Sequence, residues 1–230
     1  MRRRRDDEYT IVEPTYSHSW TLGSSGGGLR ARKDAFFSRA ELSHIAIAVV
    51  VLISALTLVL GGPSYSDLPV TLFLATTAVL LGFLGHEMAH KIVARRYGCW
   101  AEFRADFRGL GIALLVSIFG ILLAAPGAVY IFGNISRAQN AKISIAGPLV
   151  NLAIAGACVP FFVFEATTVS GGLERLPVYL CFFNAILALF NLIPFPPLDG
   201  SKIWRWNLPL YLLVVMASGL LLFLALTSIY

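Results

Sequence analysis

The sequence predicts an all-α polytopic membrane protein of about five transmembrane helices, with a re-entrant segment and a small β-hairpin at the cytoplasmic side. Three observations predict it. Of 230 residues, 57% are hydrophobic and 13% charged, whereas a soluble domain carries about 25% charged residues. Five apolar runs, 42–60, 70–90, 141–165, 177–198 and 208–229, can each cross a bilayer, which takes about 20 helical residues. Between the second and third runs lies a stretch, 99–132, that alternates and then breaks, unlike a spanning helix.

Residues 1–41 are polar, with an RRRR start, an acidic DDE and a GSSGGG at 23–28. No apolar segment follows the arginines at signal-peptide distance, so the segment reads as a flexible tail. The rest, 42–230, reads as one membrane-embedded domain. The net charge is +5, and eight of the 18 Lys/Arg precede residue 42, with five more between Lys91 and Arg108. Charges that flank apolar spans orient a chain by the positive-inside rule; this is the reading adopted, in place of nucleic-acid binding. Cys158 and Cys181 sit in apolar runs as small buried hydrophobes, and with Cys99 they form no CxxC spacing.

Gly61-Gly62-Pro63 ends the first run, and Pro69 opens the second, since proline suits a first helical turn. In 99–108, CWAEFRADFR, Ala101, Phe103, Ala105 and Phe107 alternate with Glu102, Arg104, Asp106 and Arg108. This period of two marks a half-buried strand. After AAPGA at 124–128, AVYIF is β-branched and aromatic. The expectation for 99–132 is a strand, a short re-entrant apolar segment, and a second strand. Non-helical backbone at that depth must line protein or a wet cavity.

The second run ends in His86-Glu87-Met88-Ala89-His90, an HExxH. At about 100° per residue, His90 lies roughly 40° around from His86 and Glu87 about 60° beyond His90, on one arc. Two imidazoles so placed can hold one Zn²⁺, with the glutamate beside the open position. The competing reading is a hydrogen-bonded pair of core histidines. Ionisable groups inside a span point to a functional site, which favours the metal. A catalytic zinc takes a third protein ligand. His18 is in the tail and His44 at the start of the first span, so a carboxylate is expected. Glu165 and Glu174 read as loop charges. Asp199 closes NLIPFPPLDG (191–200), where three prolines break a membrane helix and free its carbonyls; the alternative for Leu198-Asp199-Gly200 is a plain turn into a new helix.

HExxH at 86–90, the GP of AGPLVN at 146–151 and NLIPFPPLDG together resemble the site-2 protease family of intramembrane metalloproteases. The likeness covers roughly 70–206, taken as the catalytic core. It implies one zinc held by His86, His90 and Asp199, with Glu87 as base, and cleavage of substrates within transmembrane helices. It also implies a substrate or oxyanion contact for Asn191. The interval between HExxH and the GP segment is longer than in the shortest members.

Depth and direction bear on the same site. Val70 to His86 is about 24 Å of helix, which sets the histidines near the far edge of a core about 30 Å thick. Asp199 likewise follows the C-terminal end of its run. The two runs must then be parallel, which requires that 110–132 dip in and leave on the same side. With the tail inside, the inner segments carry Arg39, Lys91 to Arg108, Arg137, Lys142, Lys202 and Arg205, and the outer loops only Arg175. The zinc is thus expected inside the bilayer, nearer the cytoplasmic face of the plasma membrane. Gly147 is expected to permit helix packing, Asn151 to hydrogen-bond between helices, and either strand edge to pair with unwound substrate. Two rival functions are a zinc transporter, which needs ligands at several depths, and a scaffold that binds transmembrane helices without cutting them. A membrane-tethered zinc protease acting on soluble peptides is a third; the proline-broken LDG and the intact Glu87 favour the intramembrane protease.

Overall fold

The computed structural model describes residues 36–61, 67–121, 126–164 and 172–229. Most of the tail with His18, the Gly62-Pro63 stop, Ala124-Ala125 of the break and Glu165 lie outside the described residues. Five helical segments have the length and apolarity to cross a membrane: Arg39–Gly61, Leu68–Arg96, Arg137–Val163, Leu173–Asn191 and Leu208–Ile229. They correspond to the five expected runs.

The first is α1 (Arg39–Gly61), whose start is capped by Ser38 Oγ accepting from Glu41 N at 3.0 Å. The second begins as α2 (Leu68–Ala78) with Pro69 in its first turn. It passes through a π-helical segment, Val79–Leu84, and continues as α3 (Gly85–Arg96). Gly98, at φ 77°, then turns the chain out of the helix, a conformation that glycine adopts without a Cβ penalty.

Next come β1 (Trp100–Ala105), α4 (Phe107–Ser117) and β2 (Gly127–Phe132). The strands pair antiparallel from Trp100↔Phe132 to Ala105↔Gly127. The chain therefore returns from α4 beside the point where it left. Eleven residues of helix rise only about 16 Å, well short of a crossing, so the segment is re-entrant as expected. The alternation through Arg108 overstated the first strand. Asp106 instead caps α4, its carboxylate accepting from Arg108 N at 3.0 Å and Gly109 N at 3.3 Å, and that local bond ends the strand at Ala105.

A capping box of Ser136 and Gln139 opens α5 (Arg137–Val163). Helix α5 packs against α3, α6 (Leu176–Asn191), α7 (Gly200–Trp206) and α8 (Leu208–Ile229). One apolar cluster joins α1, α2 and the π segment with Phe103, Leu110, Leu180 and Phe183. Another, of Ile145, Leu192, Ile203, Tyr211 and Val214, underlies the proline-broken segment.

One ion pair binds these layers. Glu41 and Lys91 are both fully buried, and Lys91 Nζ donates to both Glu41 oxygens. Glu41 Oε1 also accepts from Phe103 N at 3.0 Å, and His44 Nδ1 accepts from Ala105 N at 3.0 Å. The Phe36 and Phe37 rings lie 5.1 and 4.8 Å from the ammonium, within cation–π range. Side chains of α1 thus take up the outer edge of β1, and α1, α3 and the hairpin are held as one unit.

Candidate metal centre

The helix after the π segment carries His86, Glu87 and His90, with 2%, 8% and 6% of their surface exposed. Asp199, at 9%, ends the turns that follow α6. Pro194, Pro196 and Pro197 keep 192–199 out of a helix, and Gly200 folds it tightly. A Cβ on Gly200 would lie 2.0 Å from the carbonyl oxygen of Leu192, so only glycine allows this reversal. Tyr211 Oη donates to the same oxygen at 2.9 Å. The result brings Asp199 Oδ2 to 3.1 Å from His90 Nε2 and 3.5 Å from His86 Nε2, and the end of α6 to the level of the HExxH.

The tautomers follow from the outer nitrogens. His90 Nδ1 lies 2.7 Å from the Ile143 carbonyl oxygen. That oxygen can only accept, so Nδ1 carries the proton. His86 Nδ1 lies 2.6 Å from Asn151 Oδ1 and donates in the same way. Both Nε2 atoms, 3.0 Å apart, therefore present lone pairs to each other and to the Asp199 carboxylate. His86, His90 and Asp199 place one ligand atom each within 4.8 Å of one another. Three converging acceptors without a donor between them are unfavourable in a buried setting. A cation resolves the conflict, and two imidazoles with one carboxylate form a zinc donor set that leaves a fourth position open. The residues fit the metal.

Gly147 completes the cradle. A Cβ there would lie 2.5 Å from His90 Nε2 and 2.6 Å from His86 Nε2. Its place in AGPLVN is thus a matter of the centre itself, beyond the helix packing expected of it. Asn151 does bond between helices, but its partner is a metal-facing histidine. Glu87 lies within electrostatic reach of His86, Asp199 and Lys202. Lys202 Nζ stands 3.6 Å from Asp199 Oδ1, the oxygen turned away from the histidines. Asn191 is the last residue of α6, and its Nδ2 donates to Leu187 O at 2.9 Å along its own helix. Glu174, read from the sequence as a loop charge, is exposed in the 3-10 turn Leu173–Arg175 that leads into α6, and it accepts from Gly172 N at 2.8 Å.

Sequence reasoning passed over Lys202, Asn184 and the Ile143 carbonyl. The first sits three residues past Asp199 on an i,i+3 helical spacing, and the second is an amide inside an apolar run; both were findable. A backbone carbonyl leaves no sequence signal.

Fold and centre together define a polytopic membrane protein with a buried two-histidine, one-carboxylate metal group. The comparisons with known proteins agree. The family model described as Peptidase family M50 matches residues 159–211. The chain is 37% identical over 174 residues to "Putative zinc metalloprotease MJ0611" of Methanocaldococcus jannaschii, covering 74% of this chain and 86% of that one. It is 32% identical to "Putative zinc metalloprotease Rip3" of Mycobacterium tuberculosis over 55% of this chain and 29% of that one. It is 30% identical to "Putative zinc metalloprotease YwhC" of Bacillus subtilis over 54% and 64%. No solved structure matches. The chain belongs to Peptidase family M50, the site-2 protease family.

Proposed function

We infer that the chain is an intramembrane zinc metalloprotease that hydrolyses peptide bonds within transmembrane segments of membrane-protein substrates. The observation that carries this is the convergence of His86 Nε2, His90 Nε2 and Asp199 Oδ2 beside Glu87 at the end of two apolar spans. In this reading His86, His90 and Asp199 hold one zinc per chain. When bound, zinc supplies Lewis acidity, which polarises the scissile carbonyl and makes water a stronger acid.

The remaining roles belong to side chains. Glu87, one residue along from His86, takes a proton from the attacking water and returns it to the leaving nitrogen. The Asn151 amide and the Ile143 carbonyl hold the imidazoles in fixed tautomers. Lys202 engages the second oxygen of Asp199. Asn191 is proposed to face the substrate or its oxyanion with the second hydrogen of its Nδ2, the first being donated to Leu187 O.

A helical substrate must unwind before its carbonyls can be reached, and a strand edge can receive the released backbone. The amides of Phe103 and Ala105 are taken by Glu41 and His44, which leaves β2 as the receiving edge. Val129, the partner of Phe103, and, by the period of two, Ile131, the partner of Ala101, then point their amides away from β1. Proline at either position removes an outward donor while sparing the ladder. Cleavage unaffected by both would overturn strand pairing.

The protease domain is taken as 42–230, with its core in 70–206 and a polar tail in 1–41. The tail is assigned to the cytoplasm and the centre to the cytoplasmic side of the plasma membrane, by the positive-inside argument. A reporter after α8 is expected outside; a cytoplasmic one would refute this topology. Nothing favours transport or mere helix binding. The test is cleavage of a model transmembrane peptide together with zinc stoichiometry. Wild type is expected to cut and to hold one zinc, Glu87→Gln to hold zinc without cutting, and Asp199→Ala to lose both. Cleavage that survived Glu87→Gln would sink the mechanism.

A further inference from the structure

We propose that Asn184, acting through Asn151, is a positioning residue of the metal centre. The two amides form a one-way hydrogen-bond chain that holds His86 in the tautomer whose Nε2 lone pair faces the metal. The proposal rests on the reading of His86 as a zinc ligand.

Asn151 and Asn184 are both fully buried, on α5 and α6. The direction of the chain is set at its far end by backbone oxygens, which only accept. Asn184 Nδ2 donates to Leu180 O at 2.9 Å. Its Oδ1 is therefore turned toward Asn151, whose Nδ2 donates to it at 2.9 Å. The second hydrogen of the same Nδ2 goes to Gly82 O at 3.1 Å. Both amide hydrogens of Asn151 are then used, and its Oδ1 is what remains for His86. His86 Nδ1 must donate across the 2.6 Å contact, so that in the neutral ring Nε2 is the nitrogen without a proton.

Reversing either amide would set acceptor against acceptor in a buried place, so the two carbonyls settle the orientation of both. The π segment contributes Gly82. A Cβ on it would lie 2.7 Å from the Phe183 ring and 3.1 Å from Asn184 Oδ1. Glycine here lets α6 approach closely enough for Asn184 to reach Asn151. Helix α6 thus touches the centre twice: through Asp199 beyond its end, and through Asn184 near its middle.

The test uses the full chain in detergent, with two readouts. One is zinc retention against a competing chelator. The other is the ¹⁵N chemical shift of the His86 ring in zinc-free protein labelled at its four histidines, with His86→Ala for assignment. Wild type is expected to show the Nδ1–H tautomer alone. Asn184→Leu removes one of the two acceptors of Asn151 Nδ2, leaving Gly82 O alone, and is expected to admit a minor Nε2–H population and to weaken zinc retention about 10-fold, the lower figure for an outer partner of a ligand. Asn184→Ala makes the same break with less bulk and reads it out should the leucine variant not fold. Asn184→Asp, protonated in so dry a place, restores a donor toward Leu180 O and an acceptor toward Asn151, and is expected to recover both signals. A single Nδ1–H tautomer and wild-type zinc retention in Asn184→Leu or Asn184→Ala would overturn the proposal. If wild type itself retained no zinc, the metal reading would fail, while the tautomer signal would still decide the relay.

Discussion

Replacing Gly147 by alanine adds one methyl group to α5 and tests whether AGPLVN is built around the metal. The added Cβ would stand 2.5 Å from His90 Nε2 and 2.6 Å from both Nε2 and Cε1 of His86, where ordinary contact begins at 3.4 Å. The shortfall is about 0.9 Å. The imidazoles have little room to give way, because each is tied at Nδ1, to Ile143 O and to Asn151 Oδ1. Either the rings move or α5 does, and a displacement of that size exceeds the tolerance of about 0.2 Å for metal–ligand distances. Loss of an outer partner of a ligand costs about 10- to 100-fold in metal affinity. Displacing two ligands is expected to cost at least the upper figure, about 2.7 kcal/mol. Overpacking itself costs about 1–3 kcal/mol, so the zinc-free variant is expected to unfold at a lower temperature but to remain folded. The assay is chelator competition for zinc, with thermal unfolding of the zinc-free form as a control. A Gly147→Ala protein that kept one zinc at wild-type affinity would refute the placement of this glycine against the ligands.

The buried Glu41–Lys91 pair makes a second prediction: Glu41→Ala strands an ammonium at a fully buried position and is expected to destabilise by about 3–5 kcal/mol, read as thermal unfolding in detergent. The double change Glu41→Met with Lys91→Met is expected to cost much less, because no charge is left unpaired. Asp106→Ala removes the cap of α4 and is expected to cost about 1 kcal/mol, with faster amide exchange confined to the first turn of that helix. Tyr211→Phe frees Leu192 O and is expected to cost about 0.5–1.5 kcal/mol, with a measurable loss of cleavage because Asp199 is carried on that segment.

The five spans were legible because a membrane imposes length and composition on each helix separately. The paired HExxH and LDG were legible because ionisable residues and prolines stand out in apolar runs. The re-entrant reading of 110–132 rested on the alternation and the break around it and on the requirement that His86 and Asp199 meet, and the eleven-residue α4 and the paired strands bear it out. What escaped was what depends on partners far apart in the chain. Glu41 and Lys91 are separated by 50 residues, and each looks alone like a charge at a span end. Gly147 resembles any small residue in a helix interface until the opposing imidazoles are seen. The last residues of the expected first strand kept a strand's alternation, but the Asp106 cap, a local bond, outweighed it.

X-ray absorption at the zinc edge of the purified full chain reads the coordination sphere itself. One zinc per chain is expected, with two imidazole nitrogens and carboxylate or water oxygens at about 2.0–2.2 Å, and loss of this signal in His86→Ala and Asp199→Ala. Sulfur at about 2.3 Å, or a spectrum unchanged by Asp199→Ala, would contradict that sphere.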